Sequence, residues 1–342
     1  MSTNDPFASG RGGSTEMSIN GLTCTLNMPK ALKRRDDGSG NEVAQGLPPY
    51  NRRPAFAVDE YLACPDSWMR GNADAASFFV PVMSEHGLWL DFNGNAGHTH
   101  HVAALVSVQG INAITGRKVD DHSLEQYHDN CPVHGTKLGH ERFCADCGFK
   151  WDSQNYLASN VTPRGSFWLD GFRAKDGVVR QFYFTEEMMR GVAAQVIGAE
   201  RVFAIGIAFY LSREERPAPP PSVYRDLLGD VGFAGGGHSY GGRYRRGNLG
   251  VKRFSSRGPL IGASTRSLES APQIEVAAGA RVNQRIHPDS EELTFWQPKP
   301  AGTIYINYCD VETATTIIEA GKLDMTAGGE GFMQDLNVGN NP

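Results

Sequence analysis

Two short segments of this chain repeat one pattern. Cys131-Pro132-Val133-His134-Gly135 and Cys144-Ala145-Asp146-Cys147-Gly148 each set two soft side chains two residues apart and follow them with glycine. A tight turn with two intervening residues aims both side chains at one point, and the trailing glycine tolerates the backbone crowding where the chain curls back toward sulfur. Two such turns supply the four ligands of a tetrahedral site, so Cys131, His134, Cys144 and Cys147 are expected to hold one zinc ion. All four ligands come from the protein, which makes the expected site closed and structural rather than a Lewis acid for substrate.

The pair resembles a zinc-ribbon-type knuckle pair with one cysteine replaced by histidine, over residues 131–148 only and with a shorter interval than in many ribbons. The resemblance implies a metal and no whole-chain family. Ribbons often sit in nucleic-acid machinery, and Lys137, His140, Arg142, Phe143, Lys150 and Trp151 mix positive charge with aromatic rings suited to phosphate and base. Asp129, Glu141, Asp146 and Asp152 dilute that field, so pinning a long loop between two strands is the favoured role.

The rest of the composition fits such a role. A formal net charge of -5 and a pI near 6.1 lack the basic excess that phosphate neutralisation needs. No apolar run reaches the roughly 18 residues of a bilayer-spanning helix, and the polar start, Met1 to Thr15, reads neither as a signal peptide nor as an anchor. The six cysteines then read as reduced thiols and metal ligands in a cytoplasmic protein. The sequon at Asn160-Val161-Thr162 carries no weight without export.

Along the chain, residues 1–53 read as a largely disordered or extended amino-terminal arm, with Lys33 to Gly46 a long exposed loop. Residues 54–215 form the first part of a β-rich core, with strands expected over His86 to Phe92, His101 to Gln109, Phe167 to Phe172, Val178 to Phe184 and Val202 to Leu211. Asp176-Gly177 supplies the turn of a hairpin between the third and fourth of these. Thr185 is expected to cap a helix bearing Met188, Met189, Val192 and Val196 on one side before Gly198. Residues 216–272 read as linker and loop: Pro217 to Pro221 is a stiff spacer, and Gly232 to Gly250 interleaves glycine with Tyr and Arg. Residues 273–342 bring strands at 274–276, 280–286 and 303–308, then a helix over Asp310 to Gly321.

Three other constellations could carry chemistry. Gly237-His238-Ser239-Tyr240-Gly241 matches the nucleophile elbow of α/β-hydrolases and looks like a lipase or esterase signature, with His287 the later histidine and Glu269 and Glu275 the acids between. The flanking glycine-rich segments supply neither the strand nor the helix that an elbow needs. His98 and His100 lie on one side of an extended Gly97-His98-Thr99-His100-His101, which resembles the His-x-His opening of the first cupin motif; with Asp91 they are the candidates for a second metal. No glutamate follows at the cupin spacing, and a histidine-rich turn bonding its own sheet is the alternative. Neither a Walker loop nor a dinucleotide fingerprint is present.

The expected fold is mainly β, a sandwich or jelly-roll-like sheet pair with a few short helices and the zinc-knuckle module inserted between strands near 110 and 165. The favoured function is a non-enzymatic, zinc-stabilised structural or assembly protein forming homo-oligomers. The alternatives are a metal-dependent, cupin-like enzyme at His98 and His100, a nucleic-acid-binding zinc-ribbon protein, and a hydrolase at Ser239.

Overall fold

The computed structural model describes residues 5–7, 13–119, 121–161, 167–217 and 274–323, and builds from them two sheets and two short helices. The chain enters its first sheet much earlier than the composition suggests. Asn20 and Gly21 both take positive φ, 50° and 80°, and turn β1 (Met17–Ile19) into the antiparallel β2 (Leu22–Pro29). Positive φ at both central residues is what a two-residue hairpin with a type I′ turn requires, and asparagine followed by glycine tolerates it best. Leu22, Cys24, Leu26 and Met28 then alternate into the core. The expectation of an arm running to residue 53 is therefore corrected from Met17 onward. Residues 5–7 also dock, with Phe7 buried edge-on against Phe56 and Asp5 paired to the fully buried Arg53 at 2.5 Å.

The first sheet runs in the order β1, β2, β6 (Gly87–Asp91), β12 (Val179–Thr185), β11 (Gly171–Arg173). In it β3 (Tyr50–Arg52) pairs with β2, β10 (Trp168–Leu169) with β6, and β14 (Glu275–Val282) with β12. The second runs β4 (Phe56–Ala57), β5 (Ala75–Val82), β15 (Gly302–Asp310), β13 (Ala204–Glu215), β7 (His100–Val108), β8 (Ile111–Asn112), with β9 (Leu157–Ala158) on β7. Leu26, Leu88, Phe182 and Val276 from the first sheet and Val106, Ile207, Phe209 and Ile304 from the second share one buried cluster, so the sheets face each other as a sandwich. The second sheet is mixed, because β15 and β5 pair in parallel along their whole length whereas its other pairs are antiparallel.

That second sheet is covered on its outer face as well. Phe56, Tyr61, Trp68 and Phe79 pack there with Ala314 and Ile317 of α2 (Val311–Glu319), whose N-cap Asp310 accepts from Thr313 N at 2.8 Å. Farther along, Tyr156, Tyr210 and Trp296 close over Ala103, Leu105 and Ala208. Burial on both faces explains why β7 and β13 read as continuous apolar runs.

Three other expectations change in detail. The hairpin at Asp176-Gly177 forms between β11 and β12, but Trp168 and Leu169 pair with β6 instead. The two strands expected at 274–276 and 280–286 are one strand, β14, bulged opposite Gln181 where Gly279 lies close to the partner backbone. Thr185 ends β12 rather than capping a helix, since Gly191 bridges Ala277 at the sheet edge and delays α1 to Val192–Val196. Met189 is left 74% exposed. No helix among the described residues is long and apolar enough to cross a membrane.

Candidate metal centre

Between β8 and β9 the chain leaves the sandwich and returns, and the loop so formed carries the two knuckles. Its base is closed by Asn112, whose Oδ1 accepts from the backbone of Ile114 and Thr115 while its Nδ2 donates to Asn155 O. Asn155 then pairs with the backbone of Glu125 and Ser123, and Tyr127 N donates to Ser153 O. A narrow neck results, with the knuckles beyond it.

The knuckles are built alike. In the first, Cys131 N donates to Thr136 O and Gly135 N to Cys131 O, each at 2.8 Å, and Asn130 bridges Lys137. In the second, Cys144 N donates to Phe149 O at 3.0 Å and Gly148 N to Cys144 O at 2.8 Å, and Phe143 bridges Lys150. Gly135 and Gly148 take φ of 68° and 61°, the left-handed turn that lets the chain double back. The ligand atoms of Cys131, His134, Cys144 and Cys147 all lie within 4.8 Å of one another. His134 offers Nδ1, 3.6 Å from Cys131 Sγ and 3.7 Å from Cys144 Sγ.

The backbone prepares the Cys144 sulfur for metal. The N–H groups of Cys147 and Asp146 turn toward Cys144 and, with the Thr136 hydroxyl, draw its pKa down to about 6. Burial pushes the Cys131 thiol the other way, against N–H groups from His134 and Val133. Donors aimed at sulfur stabilise thiolate, the form that binds metal. This cluster can hold a metal ion, and its donor set has no ligand outside the protein.

The surroundings fix the module in place. Arg142, at φ 65°, turns its guanidinium inward and donates to the carbonyls of Tyr127, His128, Trp151 and Asp152, tying both knuckles to the neck. Asp152 pairs with Arg173 on β11 at 2.7 Å, and Lys150 N donates to Lys175 O in the β11–β12 turn. Burial raises the Asp152 carboxyl pKa against the pull of Arg173. Tyr127, Cys131, Cys144 and Trp151 form a small core of their own. Two cations expected to face a polyanion are thus already used: Arg142 on carbonyls and Lys150 on Glu141 at 2.6 Å.

The other candidates are placed differently. Among the described residues, the knuckle ligands are the one group of three or more His, Cys, Asp or Glu side chains close enough to share an ion. Asp91 ends β6 and accepts from the backbone and side chain of Asn93. His98 Nδ1 accepts from His100 N, and His100 Nδ1 faces the carbonyls of Ser212 and Glu214. The two rings lie 6.0 Å apart and serve the edge where β7 meets β13. His287 offers its carbonyl to Gln154 Nε2, whereas Ser239 lies outside the described residues, as do Glu269 and the segments 218–221 and 232–250. Glu275, one of the two acids the sequence places between Ser239 and His287, is fully buried and bound by Arg201 at 2.5 Å. Asn112 and Asn155, which set the neck, carry no sequence signal beyond being asparagine. No protein-family model matches the chain, and neither the search of curated proteins nor that of solved structures returns a match.

Proposed function

We propose that this chain is a zinc-stabilised, non-enzymatic structural subunit that associates into a homo-oligomer. The observation that carries the reading is the all-protein ligand set of the knuckle pair, which leaves no coordination position for water or substrate. Three thiolates and one imidazole in a four-ligand cluster favour zinc over harder cations. Large apolar side chains left in solvent support association: Met189, Val196 and Val202 are 74%, 54% and 46% exposed within one short stretch after β12. The ligand thiols must stay reduced to bind, which favours the cytoplasm.

Native mass spectrometry of the purified chain reads bound metal and oligomer mass together. The expected result is one zinc per chain in a closed multi-copy particle. A monomer carrying a second metal overturns the reading and moves the function to His98 and His100.

A further inference from the structure

The outer face of the first sheet carries a second constellation, unrelated to the knuckles. Strand register places Arg52, Asn27 and Trp89 in one row across β3, β2 and β6, and Thr25, Asp91 and Trp168 in the next row across β2, β6 and β10. Their neighbours Leu26, Met28, Leu88, Leu90 and Leu169 point into the core, so these rows lie on the opposite side. Tyr50 on β3 stands 4.7 Å from Trp89 at 87°, and Trp168 stands 6.4 Å from it at 71°. Trp89 is thus flanked by two rings set nearly perpendicular to it. Tyr50 is 49% exposed and Trp168 half-buried.

The polar groups of this face are unfinished. Asn27 is fully buried, yet neither Oδ1 nor Nδ2 has a hydrogen-bond partner; Trp89 Nε1 and Asp170 Oδ1 have none either. Each such atom has lost its hydration without gaining a partner, and these gather beside three aromatic rings. Meanwhile the segment that bears Trp168 is held firmly: Gln284 donates to Trp168 O at 2.8 Å and accepts from Asp170 N at 2.9 Å, and Trp168 Nε1 donates to Asp170 Oδ2 at 3.2 Å. The Trp168 side of the site is built in advance of any ligand.

We propose that this face binds a neutral carbohydrate. Sugar C–H faces pack on Tyr50 and Trp168, and once the exposed Tyr50 ring that lies against Trp89 swings aside, hydroxyls, which both donate and accept, complete Asn27, Trp89 Nε1 and Asp170 Oδ1, which it and its neighbours close off from solvent. Charge argues against nucleic acid: beside these rings Arg52 stands with the two carboxylates of Asp91 and Asp170, so a phosphate backbone would meet at least as much repulsion as attraction there. The proposal does not depend on the assembly reading.

The test uses the full zinc-loaded chain on an array of neutral glycans. Titration with cellohexaose, xylohexaose, maltohexaose and chitohexaose follows, read by tryptophan fluorescence and calorimetry. At least one glycan is expected to bind saturably and independently of salt. Trp168→Ala and Tyr50→Ala, each checked by thermal melt for intact fold, are expected to weaken it at least tenfold, and the remote exposed Lys299→Ala to leave it unchanged. Absence of binding across array and titrations overturns the proposal, with the unpartnered atoms then served by water alone. So does glycan binding that survives both aromatic variants, or a face that takes only oligodeoxythymidylate with steep salt dependence.

Discussion

Between the two sheets an apolar core runs from Met17 to Tyr308, whereas the loop from 123 to 155 has only Tyr127, Cys131, Cys144 and Trp151 as its buried cluster. The sandwich is ordered by area removed from water, contributed by strands distant in sequence. The knuckle module has too little such area and is ordered by hydrogen-bonded turns that converge four ligands on one point. The electrostatics differ in the same sense. In the sandwich, burial pushes the Asp170 carboxyl up to about 6, while in the module backbone N–H groups draw Cys144 down to about 6. Burial acts against charge at Asp170, whereas backbone donors at Cys144 favour the thiolate that a cation needs.

The sharpest way to break this comparison is to remove the ligand set. A structural zinc site is worth on the order of 10 kcal/mol to a small module. Cys144→Ser, or chelation, is therefore expected to abolish amide protection over 123–155 while β7 and β13 stay protected, as read by hydrogen exchange. Loss of protection in both regions together would make the module part of the core. The reciprocal change is Phe182→Ala at the sandwich centre, expected to cost about 3–5 kcal/mol in denaturant unfolding with zinc content unchanged.

A smaller effect probes the electrostatic contrast. With a folded pKa of about 6 against an ordinary 3.8, Asp170 keeps a proton that the unfolded chain releases. Stability is expected to fall as pH rises from about 4 to about 6 and to stay lower above. Asp170→Asn should flatten that fall and stabilise the chain by about 2 kcal/mol or less at pH 7. The smallest change is Gly135→Ala. Nothing lies within 4 Å of the added carbon, so the penalty is the φ of 68° alone, about 1 kcal/mol, read as a several-fold weaker zinc affinity with an unchanged sandwich melt.

What could be read from sequence follows the same division. The knuckles are local, and their spacing announces them. Strands β6, β7, β12, β13 and β15 show themselves through short runs of aliphatic and aromatic residues. By contrast β2 was hidden by a polar neighbourhood, although Leu22, Cys24, Leu26 and Met28 alternate and Asn20-Gly21 marks the turn before them. The misplaced helix at Thr185 fails for a tertiary reason: Gly191 belongs to the edge of β14, which lies far away in sequence and cannot be seen from 185–198. The face around Asn27 was invisible for a like reason, because Arg52, Asn27, Trp89 and Trp168 meet only through register.

The parallel pairing of β5 with β15 bears on how the chain comes to be made. β15 lies between β5 and β13, so the two halves of the second sheet cannot join until residues 302–310 have been synthesised. Until then β5 waits with an open edge, and so does the β7–β13 pair on its other side. Nascent chains halted before Gly302 are then the ones most exposed to aggregation, and the second sheet is completed only once residues 302–310 have emerged.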